Sequence, residues 1–169
     1  AFGGLANGFE LGYAVRQFFL NGGSDAWAVR VAPPADAPDD MRAAYVSDRA
    51  RRRGIYALDG ADHFNLLCLP AVTDSGVLAD AVSYCKERRA FMIVDAPPAA
   101  RDSASMAAAM DTALPRSDHA AVYFPWTQVA DPLAGGQPRL TPPCGTIAGL
   151  YARTDGNRGV WKAPAGVDA

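Results

Sequence analysis

Residues 1–169 read as an α/β fold, a mainly parallel sheet of about four strands flanked by helices on both faces. Three observations predict it. Four short runs, Ala26–Val31, Phe64–Pro70, Phe91–Asp95 and Ala120–Phe124, are mostly apolar, as strands buried on both faces are. Segments of helical periodicity separate these runs, so helix and strand alternate along the chain. Proline and glycine clusters punctuate almost every junction.

The first helix is expected over Phe9–Leu20, with Leu11, Ala14, Val15, Phe18 and Phe19 on one face and Asn21–Gly22–Gly23 as the stop. Ala26–Val31 follows as the first strand. Residues 33–38, rich in proline and small residues, form a loop. Asp40–Arg52 reads as a helix with aspartates at its start, and the Arg49–Arg53 cluster is the solvated, dipole-favoured end of it rather than a phosphate patch. Gly54 closes that helix, and Ile55–Leu58 is a short apolar turn. Phe64–Pro70 is a buried strand. Thr73–Gly76 starts a helix that runs to about Arg89 with Val77, Leu78, Ala81, Val82 and Cys85 inward. Phe91–Asp95 is the next strand, broken by Pro97–Pro98. Ser103–Leu114 is an Ala/Met-rich helix, and Ala120–Phe124 is a strand ended by Pro125–Trp126. Residues 131–139 read as a turn-rich loop, Cys144–Arg153 as a helix with prolines at its first turn, residues 155–159 as a loop and residues 160–166 as an extended segment. Each parallel crossover should be right-handed.

Composition narrows the function classes. The chain has 169 residues, half of them apolar and a fifth charged, with a formal net charge of -2. That charge gives no basic face for nucleic acid. No apolar run approaches the roughly 20 residues of a membrane span, and no signal peptide is visible. Three cysteines, Cys68, Cys85 and Cys144, form neither a disulfide framework nor a metal spacing; they read as buried free thiols of a reducing compartment. The sequence opens without a methionine, and both ends read as cuts through a longer polypeptide.

An α/β sheet invites a catalytic reading, because ligands bind at the carboxyl ends of such strands. Asp95 and Trp126 fall at those ends, whereas His63 and His119 precede strands at the opposite edge. Neither histidine has a partner at metal-ligand spacing. Cys144, at a helix start, could be a nucleophile with His119 as base, but the pattern around it is no nucleophile elbow and a packing role is preferred. For Asp95 a bracing role at the loop is preferred over catalysis. Leu133–Gly136 lacks the lysine and hydroxyl of a phosphate loop.

Several stretches resemble the tail sheath proteins of contractile phages and phage-tail-like particles. They are Leu11–Gly23 followed by Trp27–Val31, Phe64–Pro70 (the family's "FNLLCIP"-type strand), Tyr84–Asp95, and Tyr123–Trp126 with Asp131–Leu133 (its "YYPW…DPL" segment). Most specific is Gly149–Asp155 with Gly159–Gly166. The similarity runs in order over nearly the whole chain. It implies a structural subunit that polymerises around an inner tube and contracts to drive that tube through a target envelope. It implies no enzyme activity and no cofactor. The implied partners are other sheath subunits, the inner tube protein, and baseplate and terminator proteins, without nucleic acid or direct membrane insertion. The implied location is a virion or phage-tail-like particle assembled in the bacterial cytoplasm. Residues 1–169 would be the α/β core, without the family's N-terminal arm and C-terminal domain, whose strands join a neighbour's sheet. The segment between Val31 and Gly54 is shorter than the family's variable stretch. Trp161, Lys162, Pro164, Trp126 and Arg153 are the candidate interface or packing anchors, and for Trp161 packing on its own domain is preferred over an anchor between elements or subunits. The competing reading is an α/β hydrolase-like or small-ligand-binding domain with a site at the strand ends.

Overall fold

A computed structural model describes residues 5–6, 8–33, 35 and 39–166. Most of the expected proline-rich loop, residues 34 and 36–38, lies outside the described residues, as do residues 1–4 and 167–169 at the ends.

The centre is a parallel sheet of β1 (Leu66–Cys68), β2 (Phe91–Asp95) and β3 (Ala120–Tyr123), in the order β1-β2-β3. Leu67 pairs with Met92, and Val94 with Val122. α3 (Ser75–Arg88) connects β1 to β2, and α4 (Ser103–Thr112) connects β2 to β3. With strands in sequence order and crossovers of one hand, both connecting helices lie on the same face. The pleat sends Leu67, Met92, Val94 and Val122 into that layer, where they meet Val77, Leu78, Ala81, Cys85 and Met110. The alternate residues, Leu66, Cys68, Phe91, Ile93 and Tyr123, face α1 (Glu10–Leu20) and α5 (Cys144–Arg158). Helices therefore cover both faces, as the sequence predicts.

Local chemistry explains the helix ends. Asp74 accepts from the Val77 amide at 2.8 Å and caps α3, and Arg89 closes it in the left-handed conformation. Asp102 and Ser105 form a capping box at α4. α5 has Pro143 at its N-cap, which offers no side-chain oxygen.

Several expectations are corrected. The sheet has three strands, not about four, because residues 26–31 pair with no strand among the described residues. Val29 packs on the main apolar cluster instead, and Trp27–Arg30 border a shallow cleft against Ala57–Ala61. The apolar pattern there serves packing, not a hydrogen-bonded ladder. The Asp40–Arg52 helix shrinks to α2 (Met41–Tyr45). Asp48 competes for the backbone beyond it: its carboxylate accepts from the Arg51 amide, and Arg52 sits at φ 53°. The arginine cluster is therefore a turn, in which Arg49 pairs with Glu87 at 2.7 Å and Arg51 with Asp48. Ile55–Leu58 lies within a 3-10 turn, Gly54–Gly60.

The loop expected over 131–139 is the tip of an antiparallel hairpin, β4 (Thr127–Ala130) with β5 (Pro138–Thr141). The tip is a 3-10 turn, Pro132–Ala134, capped by Asp131. α5 runs on through the expected 155–159 loop to Arg158 and stops at Gly159, φ 98°. Residues 160–166 are turns and bends rather than extended. The buried side of α1 is Tyr13, Ala14 and Gln17 with Phe18 half-buried, which leaves the expected core residues Leu11 and Phe19 exposed.

Candidate functional site

The carboxyl ends of the strands are where a ligand would bind, and there the structure places Asp95, Cys144 and Trp126 together. Asp95 is 1 % exposed. Its Oδ1 accepts from the Cys144 amide at 2.8 Å, and its Oδ2 from the Ala71 amide at 3.1 Å. Asp95 thus supplies α5 with the cap that Pro143 cannot, and holds the β1–α3 connection where Ala71 takes φ 60°. Burial raises its pKa, against the lowering effect of the hydrogen bonds from Cys144 and Ala71.

The Cys144 thiol is fully enclosed. Its hydrogen bond with Cys68, then burial, then the negative charge of Asp95 hold it protonated, the opposite of what a nucleophile needs. His119, the base paired with it on sequence grounds, precedes β3 at the other end of the sheet, with Nδ1 3.1 Å from the Ala90 carbonyl. His63 is exposed before β1. The structure therefore does not bring Cys144 and a histidine together. Trp126 follows the cis Phe124–Pro125 bond and donates from Nε1 to the Ala96 carbonyl at 2.8 Å. Among the described residues, no group of acidic, histidine or cysteine side chains could hold a metal ion.

The remaining candidates lie along α5 and after it. Arg153 is half-buried against Gly22, where a Cβ would sit 2.7 Å from the arginine Cβ. Trp161 is 79 % exposed and leans over Gly159. Lys162 Nζ donates to the carbonyls of Ala163 and Ala165, and Pro164 is half-buried. Trp161 thus does not pack into its own domain. Further apolar surface lies around α1, where Phe9 before it, Leu20 at its end and Trp27 after it are each more than 60 % exposed.

Two sets of residues escaped the sequence reading. The first ties the hairpin to α1. Tyr13 Oη donates to Asp131 Oδ1 at 3.1 Å, and Arg139 pairs with Glu10 through both nitrogens at 2.6 and 3.0 Å. The Arg139 guanidinium also lies 3.7 Å from the centre of the Tyr13 ring. Partners more than a hundred residues apart leave no local signal. The second is the pair Gly145 and Gly149, where α5 crosses α1. A Cβ at Gly145 would lie 2.2 Å from the Ala14 carbonyl oxygen, and one at Gly149 2.5 Å from that of Phe18. Their spacing of four, on one helix face, was the available signal.

Fold and site together define an α/β block whose strand-end polar groups are engaged in holding its own elements together. The chain matches no protein-family profile and no curated protein sequence. It does match solved structures. One is from the sheath complex of the extracellular contractile injection system PVC in its contracted state, with 25% identity, a TM-score of 0.62 and 94% of this chain covered. Another is from the contracted helical sheath of the anti-feeding prophage, with 29% identity, a TM-score of 0.60 and 92% covered. A third is from the six-fold symmetrised baseplate of that prophage, with 28% identity, a TM-score of 0.58 and 92% covered. The chain shares its fold with these contractile-system structures over at least 92% of its length. It spans 37%, 38% and 37% of the length of those three chains.

Proposed function

We propose that residues 1–169 are one α/β block of a longer sheath subunit that polymerises around an inner tube and contracts to drive the tube through a target envelope. The observation that carries this is the match over at least 92% of the chain to structures of contracted sheaths. The subunit's partners are its own copies, the inner tube, and the baseplate and terminator proteins. Its place is a virion or phage-tail-like particle assembled in the bacterial cytoplasm. No helix among the described residues is long and apolar enough to cross a membrane.

The block is non-catalytic. Support comes from the strand ends, where Asp95 is occupied by two backbone amides and Cys144 is enclosed and held protonated. Trp161, Lys162, Pro164, Trp126 and Arg153 act as anchors, and the exposure of Trp161 favours a contact outside its own domain.

The test is electron microscopy of the full subunit expressed alone and with its tube protein. Tubular polymers with a hollow or tube-filled lumen are expected. A monodisperse species that persists at high protein and salt concentration defeats the proposal.

A further inference from the structure

We propose that the β4–β5 hairpin is a hinged strap over the start of α1, closed by the Glu10–Arg139 ion pair and able to open while the rest of the domain stays folded. The hairpin is a sheet of its own, and neither of its strands is hydrogen-bonded to β1, β2 or β3. None of its residues, 127–141, belongs to either apolar cluster of the core. The two residues it buries, Asp131 and Thr141, are polar, while Leu133 and Leu140 are exposed. Opening the strap therefore leaves both apolar clusters intact.

Both ends of the hairpin are moored at one place. Just before it, Trp126 Nε1 donates to the Ala96 carbonyl at 2.8 Å, and just after it the Cys144 amide donates to Asp95 at 2.8 Å, so the hinge sits at the end of β2. Away from that mooring, polar contacts hold the hairpin to α1. Arg139 grips Glu10 at 2.6 and 3.0 Å, its guanidinium covers the Tyr13 ring, and Tyr13 Oη donates to Asp131. The Glu10 and Arg139 side chains are only 21% and 17% exposed, so water screens this bidentate pair less than it screens an ion pair on the open surface. A two-stranded hairpin detached from its support is marginal in water, so the opened strap also loses its β4–β5 hydrogen bonds. Opening uncovers Tyr13, which is 1% exposed when the strap is closed.

The experiment is hydrogen–deuterium exchange of the 169-residue chain, read by mass spectrometry on peptides covering 127–141 and β2. In the parent chain the 127–141 amides should be less protected than those of β2. Their exchange should stay flat at low guanidinium concentrations that speed β2, because a small opening exposes little surface. Val77→Ala, in the core on α3, should speed exchange at β2 and leave 127–141 unchanged, since the core is intact in the opened form. Glu10→Gln should speed exchange at 127–141 about tenfold or more. Arg139→Gln should act likewise, and the double variant should exchange no faster than the faster single one, because both changes undo one latch. The proposal is overturned if 127–141 and β2 share one protection and one guanidinium dependence in the parent chain, or if Val77→Ala speeds both alike. It is also overturned if Glu10→Gln leaves 127–141 unchanged, or if the two latch changes add in full. The parent-chain comparison decides even where a variant does not fold.

Discussion

Gly149→Ala should destabilise the chain, although alanine is the better helix former. The added Cβ would lie 2.5 Å from the Phe18 carbonyl oxygen and 2.8 Å from the Asn21 Cβ. Ordinary packing between carbon atoms begins near 3.5 Å, so α5 must move away from α1 by almost an ångström or distort. Overpacking of this kind costs about 1–3 kcal/mol, and a rigid backbone carbonyl as the obstacle puts the cost at the upper end. Replacing a mid-helix glycine with alanine returns about 1 kcal/mol. The net loss is about 2 kcal/mol, a Tm fall of about 4–8 °C for a chain of this length. Gly156 is the internal control, because it lies in the same helix with nothing within 4 Å of its would-be Cβ. Gly156→Ala should therefore raise Tm by about 2–4 °C, from the propensity gain alone. Differential scanning calorimetry of the two variants decides it. If both raise Tm equally, the close approach of α1 and α5 is wrong.

Asp95→Ala leaves the Cys144 and Ala71 amides without an acceptor. The cost should be about 2 kcal/mol by denaturant titration, since two orphaned donors at about 1–3 kcal/mol each are offset by removal of a buried charge. Because burial raises the folded pKa of Asp95, the folded state binds this proton more readily than the unfolded one. Stability from this group therefore grows as pH falls from neutral toward the ordinary carboxylate value of 3.8 and is lost as pH rises through the raised value. The gap between the parent chain and Asp95→Ala should widen on mild acidification, and a gap that narrows contradicts the sign. Tyr13→Phe removes the hydroxyl on Asp131 but keeps the ring beneath Arg139; it should lower Tm less than Tyr13→Ala does, and equal losses would deny the ring a role. Trp161→Ala should leave Tm of the chain unchanged, since the ring is exposed, yet reduce the yield of polymers formed by the full subunit in electron micrographs. A large Tm fall would place Trp161 in the domain's own core.

The buried elements were legible because burial writes itself into sequence. β1, β2, β3 and the inward positions of α3 were visible as apolar runs and a helical stripe, with Asp74 marking the α3 start. The failures have physical causes. Residues 26–31 carry the composition of a strand but use it in packing, a distinction only tertiary structure makes. The hairpin strands β4 and β5 are four residues each around a conspicuous turn, so the turn obscured them. The α1 stripe was misread because Leu11 and Phe19 are apolar yet exposed, while Gln17 is polar and buried. At the strand ends the sequence located Asp95 and preferred the bracing role for it, but its particular partners were not readable. The α1–hairpin contacts link residues 118 and 129 positions apart and left no trace in local pattern.

The cap on α5 comes from a residue 49 positions earlier. That separation ties the helix start to the sheet. With Pro143 at its start, α5 on its own leaves its first amides to water, and helices this short are marginal in isolation. Only when β2 has joined its neighbours does Asp95 stand where those amides can meet it. The first turn of α5 therefore depends for its cap on the assembled sheet. Hydrogen exchange at the first turn of α5 should then report the integrity of the whole sheet rather than local fraying of one helix.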